Sequence, residues 1–324
     1  MSQQALFLTI TVRRPITATA KQGNARVNIL HISDIHFGPR HWEGDDQLLL
    51  DKINSYPADL VINTGDCTSD GLESEYQDAG QFLKGINCEN VISIIGNHDK
   101  RNMRSHEYFR KYIYRNEIIS PSRPELTIKK NLFLKRDITK IKDNFTDLNY
   151  TKLLTVAGMT VLIICIDSNQ LSEDDGFVEE ELLRKISKKI SRLKYDKSMM
   201  LIHHSILATD EGPLRNSLPL INFVRENKIE DVFCGHTHQM DLRKTTDLYF
   251  ENSFTQYMVG TLSSCNHADD DNMFFYFENW GTSEMRLYLI RIILDDDSVS
   301  FTEELILGSN AQKMTGNVLK SIQN

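Results

Sequence analysis

Five times along this chain a short apolar run ends in a cluster of Asp, Asn or His. Val27–Ile32 leads into Ser33-Asp34-Ile35-His36, Leu60–Asn63 into Gly65-Asp66, and Val91–Ile95 into Gly96-Asn97-His98-Asp99. Ser198–Ile202 leads into His203-His204, and Asp231–Cys234 into Gly235-His236-Thr237-His238. Runs this short, bounded by glycine and polar residues, read as buried strands. Amphipathic stretches over Asp46–Tyr56, about Glu73–Lys84, Val178–Leu193 and Leu214–Asn227 read as the helices between them. Strands alternating with helices pair in parallel, with helices on the sheet faces. Loops leaving the C-terminal ends of such strands converge on one crevice, so the five polar clusters are expected to share a single site.

The remaining segments qualify that picture. Thr160–Ile166 reads as a further strand of the second series, and Arg286–Leu294 and Val299–Leu307 flank an Asp295–Asp297 turn as an antiparallel hairpin. The sheet system is therefore expected to be mixed. Residues 1–25 carry an alternating apolar run, Leu6, Leu8, Ile10 and Val12, and read as an added edge strand or an arm. Residues 26–308 form one domain, with 309–324 as a tail. Within the domain, 100–152 reads as an insertion richer in Lys and Arg than in Asp and Glu, and equally as a cap on the crevice or a solvated basic face.

Composition removes several classes of function. With 40% hydrophobic and 25% charged residues over 324 positions, the chain can bury a core without disulfides. Its five cysteines show no paired spacing, which reads as reduced thiols in a cytoplasmic protein. No apolar run approaches the ~20 residues of a membrane-spanning helix, so no membrane partner is expected. A net charge of −8 disfavours wrapping a long nucleic acid, since that binding rests on neutralising phosphates with Lys and Arg. A small anionic substrate fits instead, if metal supplies the positive charge.

The donor chemistry points to metal. Carboxylate, amide oxygen and imidazole together suit Mn, Fe or Zn, and the lack of a cysteine cluster disfavours a structural zinc site. Asp34, His36, Asp66, Asn97, His203, His236 and His238 are too many ligands for one ion. They suit two divalent transition-metal ions about 3.5–4 Å apart, the spacing that clamps attacking and leaving oxygens in phosphoester hydrolysis. Gly65, Gly96 and Gly235 are expected to turn the backbone beside the site.

The ordered set Asp34-x-His36, Gly65-Asp66, Gly96-Asn97-His98-Asp99, His203 and Gly235-His236-x-His238 resembles the calcineurin-like metallophosphoesterase superfamily. With the strand pattern on either side, the likeness spans roughly Val27 to Leu307. It implies a four-layer α/β/β/α sandwich of two mixed β-sheets flanked by helices. It further implies Asp34, His36 and His238 on one metal, Asn97, His203 and His236 on the other, Asp66 as the bridge, and a metal-bridging hydroxide as nucleophile. His98 resembles the general acid, poised by Asp99. Asn97, His98 and His204 would meet the substrate.

Protein Ser/Thr phosphatases carry an arginine shortly after the bridging aspartate, where this chain has Asp70, so that class is disfavoured. Gly260-Thr261-Leu262-Ser263-Ser264-Cys265 is similar to a run in class III cyclic-nucleotide phosphodiesterases, with Leu262 in place of the usual proline. The expected function is a binuclear-metal phosphodiesterase acting on a cyclic nucleotide or nucleotide-like diester. A metal-dependent nuclease is the alternative, and a non-catalytic interaction module the third reading. His31 reads as a core histidine, His106 and His267 as surface residues, and Met273–Phe277 as a core stripe. His41 and Trp42 are read equally as pocket lining or an exposed turn.

Overall fold

The computed structural model describes residues 26–113, 148–209, 212–247, 252–265, 271–295 and 298–308. The expected arm, most of the basic insertion, His267 and the tail lie outside them. The first sheet contains β1 (Val27–Ile32), β2 (Leu60–Asn63), β3 (Val91–Ser93), β10 (Met273–Trp280), β11 (Arg286–Asp295) and β12 (Ser298–Leu307), in the order β12-β11-β10-β1-β2-β3. Its β1, β2 and β3 are parallel, whereas β10 joins β1 antiparallel and the β11–β12 hairpin extends that edge.

The second sheet contains β4 (Tyr150–Val156), β5 (Met159–Ile166), β6 (Lys197–Ile202), β7 (Asp231–Cys234), β8 (Asp241–Thr246) and β9 (Ser253–Met258), in the order β4-β5-β6-β7-β9-β8. Here β5, β6, β7 and β9 are parallel, with antiparallel strands at both edges. Both sheets are mixed, as the C-terminal hairpin suggested.

Alternation along each strand builds the layers. In β1, Val27 and Ile29 face the second sheet, while Leu30 and Ile32 face the helices α1 (Asp46–Asn54) and α2 (Glu73–Gly85). In β5, Val161, Ile163 and Cys165 face inward, and Leu162, Ile164 and Ile166 face α4 (Glu180–Ile190) and α5 (Ser217–Glu226). Strands apolar on both faces are what a sheet covered on both sides requires. Met273, Phe275 and Phe277 of β10 and Phe233 of β7 fill the space between the sheets, so the aromatic stripe is core. Each such fully buried side chain contributes about 1.5–3 kcal/mol of transfer free energy.

The helices form for local reasons as well. Asp45 caps α1 by accepting from the backbone N–H groups of Gln47 and Leu48. In α4 the buried Leu182, Leu183, Ile186 and Ile190 keep helical spacing, with Glu180 and Glu181 at its start and Lys188 and Lys189 at its end, complementing the helix dipole. A short α3 (Ser105–Tyr108) follows the Asn97 loop and buries His106, which corrects its reading as a surface residue.

Two polar contacts pin the sheets to each other. Trp280 Nε1 of β10 donates to Asp231 Oδ2 of β7 at 3.0 Å, and the Tyr150 hydroxyl of β4 donates to the Ser93 carbonyl of β3 at 2.6 Å. With the sheets fixed, the parallel strands of both end on the same side. There the five loops meet.

Candidate metal centre and active site

The loops after β1 and β2 run side by side, because Asp34, His36 and Phe37 donate their backbone N–H groups to Gly65, Asp66 and Cys67 at 2.9, 3.0 and 3.0 Å. This close pairing turns the chain sharply. Asp34, His36, Asp66, His236 and His238 all have φ between 51° and 79°, a region that side-chain-bearing residues rarely adopt. They are five of the nine such non-glycine residues among those described, so backbone strain concentrates where the polar side chains converge.

The glycines act partly as expected. Gly65 has φ of 109°, but Gly96 and Gly235 do not need a left-handed backbone. They are needed because a Cβ at Gly96 would collide with Asp66 Oδ1, and one at Gly235 with Ser33 Oγ and Asp34 Oδ2.

Two neighbouring groups of donors result. In the first, His36 Nε2 and His238 Nε2 lie 2.9 Å apart, with Asp34 Oδ1 at 3.8 and 3.5 Å from them. In the second, Asn97 Oδ1 lies 2.9 Å from His203 Nε2 and 3.1 Å from His236 Nδ1. Asp66 Oδ2 stands between the groups, 4.0 Å from His36 Nε2 and 3.3 Å from His203 Nε2. All seven residues singled out as donors are therefore brought together.

Neighbouring polar groups hold these side chains in orientation. His203 Nδ1 donates to the Thr64 carbonyl at 2.7 Å, which turns Nε2 toward Asp66 and Asn97. Asn97 Nδ2 donates to Asp174 Oδ1 at 3.1 Å, which turns the amide oxygen toward the two histidines. The Gly260–Cys265 run braces the first loop. Thr261 Oγ1 donates to the Asp34 carbonyl at 2.6 Å, Leu262 N to the Ser33 carbonyl at 2.9 Å, and Ser263 Oγ to the Ile35 carbonyl at 3.0 Å.

The electrostatics favour a cation. Burial would raise the carboxyls of Asp34 and Asp66, yet the surrounding histidines outweigh it and hold both well below the usual range, so both are ionised. Burial pushes His36 down to about 3 and His236 down to about 4, leaving neutral imidazoles suited to ligate a metal. For His203 burial acts downward too, but Asp66 and Asp34 win and raise it to about 9. Asp34 Oδ1 is buried with no hydrogen-bond partner, while the facing nitrogens of His36 and His238 can share a single proton. A divalent ion within the Asp34, His36 and His238 group would give that buried carboxylate oxygen its partner, so the residues fit the metal that their types suggested.

Three expectations need correction. Asp99 does not touch the His98 side chain: its Oδ1 accepts from Thr68 N and Oγ1 at 2.9 and 2.8 Å, and its Oδ2 from Gly96 N at 2.9 Å. Asp99 thus ties the loops after β2 and β3 together, and burial with the nearby Asp66 charge raises it to about 7. The group that orients His98 is the Ser69 carbonyl, 2.7 Å from Nδ1. His204 has both ring nitrogens taken, Nδ1 by Ser168 Oγ at 2.7 Å and Nε2 by the Asp174 carbonyl at 2.8 Å. It is fully buried and has no atom left for substrate. His41 and Trp42 do not form an exposed turn: Asp46 accepts from both rings, at 3.0 and 2.8 Å, and Trp42 is buried. His31 is the core histidine expected, with Nε2 3.0 Å from Thr64 Oγ1.

Residues 27–240 match the family profile described as Calcineurin-like phosphoesterase. The chain belongs to that family. Over 224 residues it is 23% identical to a protein named probable cyclic nucleotide phosphodiesterase from Vesicomyosocius okutanii subsp. Calyptogena okutanii (strain HA), covering 65% of this chain and 78% of that one. Among solved structures it is similar to a purple acid phosphatase from yellow lupin (Lupinus luteus) seeds, with TM-score 0.51 and 13% identity, covering 86% of this chain and 53% of that one. It is also similar to the NAD nucleotidase of Haemophilus influenzae, with TM-score 0.48 and 13% identity, covering 92% of this chain and 56% of that one. The lupin likeness bears on fold alone, and agrees with the four layers described above. As a calcineurin-like phosphoesterase the chain is a hydrolase of phosphoesters, in a family that uses divalent metals, and its clustered His and Asp groups could hold them.

Proposed function

We propose that this phosphoesterase hydrolyses a small phosphodiester of the cyclic-nucleotide or nucleotide-like class with two divalent ions. The observation that carries the reading is the placement of Asp66 Oδ2 between the two donor groups, 4.0 Å from His36 Nε2 and 3.3 Å from His203 Nε2. Asp34, His36 and His238 would hold one ion and Asn97, His203 and His236 the other, with Asp66 shared. Two such ions supply Lewis acidity to the phosphoryl oxygens and acidify a water near neutral pH.

The chain's own residues do the rest. Asp66 Oδ1 accepts from His98 N at 2.8 Å, which couples the shared carboxylate to the His98 loop. Nδ1 of His98 is held by Ser69, and its Nε2 accepts from Arg40 and Arg101. Burial and the two arginine charges lower its pKa, so Nε2 would have to take up a proton, with an anionic substrate drawing the arginines away, before passing it to the leaving oxygen. The His36 and His98 rings meet edge to face at 4.8 Å between centroids, so that proton source stands beside the donor cluster. The resemblance to a protein named as a cyclic nucleotide phosphodiesterase supports the diester substrate class.

The test is elemental analysis of metal-loaded protein followed by turnover of bis-p-nitrophenyl phosphate and p-nitrophenyl phosphate. About two ions per chain and a preference for the diester are expected. One ion, or faster turnover of the monoester, would overturn the reading.

A further inference from the structure

Two arginines that the sequence motifs do not include close on one atom of the site. Arg40, from the loop after β1, places Nη1 3.1 Å from His98 Nε2, and Arg101, from the turn after β3, places Nη2 at the same 3.1 Å. The convergence of two guanidinium cations on a single lone pair sets like charges side by side. One donor would be enough to orient an imidazole already held at Nδ1.

Only one of the two has counterions. Arg101 lies 3.5 Å from Asp70 Oδ1 and 3.6 Å from Asp174 Oδ1, and both carboxylates are largely solvent-exposed. Arg40 faces no carboxylate among the described residues. In a chain with 45 acidic and 37 basic residues, carboxylates are not scarce, so a guanidinium left without one beside a donor cluster, with a second converging on the same atom, marks a place for an anion. Arg101 is 29% exposed and Arg40 is half-buried, so a ligand can reach both. A planar guanidinium matches a phosphate through two parallel hydrogen bonds, and two from separate loops can grip one phosphate from two sides.

We propose that Arg40 and Arg101 form an anion subsite for a second phosphate group of the substrate, next to the phosphate that is cleaved. The inference rests on the phosphodiesterase reading and narrows it to nucleotide-like diesters bearing two phosphates. Because the arginines sit at His98, the proposed proton donor, the second phosphate belongs to the departing half of the substrate. It can be joined through an anhydride or stand separately on the departing nucleoside.

Three substrates and two variants test this. Metal-loaded wild type, Arg40→Gln and Arg101→Gln are compared on bis-p-nitrophenyl phosphate, which has one phosphate, on diadenosine diphosphate, whose phosphates share an anhydride, and on a 5′-phosphorylated diadenylate. Each variant should lose about 10- to 100-fold in kcat/KM on at least one two-phosphate substrate, mainly through KM, and much less on bis-p-nitrophenyl phosphate. Which substrate shows the loss identifies how the second phosphate is attached. Arg→Lys variants, which keep charge but not the planar fork, should recover only part of the loss. Equal losses on all three substrates would reduce the arginines to props for His98 and overturn the subsite, as would no loss on any. If wild type fails to cleave bis-p-nitrophenyl phosphate at all, the phosphodiesterase reading itself falls, which is a distinct result. Unchanged melting curves confirm that each variant is folded.

Discussion

His36 Nε2 and His238 Nε2 face each other at 2.9 Å although 202 positions separate them in sequence. Two neutral imidazoles in that geometry share at most one proton, and burial strongly disfavours charging His36. A cation beside both nitrogens would also give the buried, unpartnered Asp34 Oδ1 its counter-charge, so metal should stabilise the fold as well as enable chemistry. Adding manganese or zinc to chelator-treated protein should raise Tm, by about 2.7 kcal/mol of stability once free metal is a hundredfold above Kd. A Tm indifferent to metal and to chelator would contradict a centre at these residues.

Asp66→Asn should be the most damaging single change in the donor set. Its Oδ2 stands between the two groups, and its Oδ1 holds the His98 backbone. Elemental analysis should show both ions weakened, whereas His238→Ala should weaken mainly one. Retention of two ions by Asp66→Asn would end the bridging assignment.

His98→Ala should leave metal content near wild type and slow hydrolysis according to the leaving group. General acid catalysis contributes about 10²–10⁴-fold where the departing oxygen needs a proton. The loss should therefore be large for a ribose oxygen and small for p-nitrophenolate. Because Asp99 clamps Thr68 and Gly96 rather than His98, Asp99→Asn should lower Tm without that leaving-group signature. An identical leaving-group dependence in both variants would restore Asp99 to the proton path.

Asp231 sets a pH dependence of stability far from the site. Burial raises its carboxyl to about 7, against which Trp280 donates a hydrogen bond. A carboxyl that binds its proton more tightly in the folded state destabilises the fold as pH rises above its unfolded value near 4, and the loss is complete once pH passes about 7. Asp231→Asn, which keeps an acceptor for Trp280, should match wild type near pH 4, gain on it by up to about 1.4 kcal/mol per pH unit as pH rises to 7, and hold that lead at pH 8. Melting curves of the two proteins that stay parallel from pH 5 to pH 8 would show that Asp231 is not the group responsible.

The donor set was legible because each member directly follows an apolar run, so chain order alone brought seven residues to one place. The parallel strands were legible for the same reason, and Leu60–Asn63 and Asp231–Cys234 match β2 and β7 at both ends. Other strands carried weaker signals. In β8, Asp241-Leu-Arg-Lys-Thr-Thr246 is a half-exposed edge strand with a single apolar residue. In β9 the apolar run is interrupted by Gln256, which is fully buried because its Oε1 accepts from Ile206 N at 3.0 Å. Arg40 and Arg101 were illegible as a pair, since contact between loops 61 residues apart leaves no mark on either stretch. The adjacency of His98 and Asp99 suggested a contact that the turn geometry at this loop does not make.

The brace on the first loop has a consequence for the order in which the molecule can be made. Thr261, Leu262 and Ser263 hold the carbonyls of Ser33, Asp34 and Ile35, and β10, which follows them, pairs with β1. A growing polypeptide that has emerged as far as His238 already contains all seven donors, yet the Ser33, Asp34 and Ile35 carbonyls still lack the donors that Thr261, Leu262 and Ser263 bring. The donor cluster is therefore fully braced only after the chain has been made through β10. An interrupted translation product would carry every signature residue of the family and still be inert.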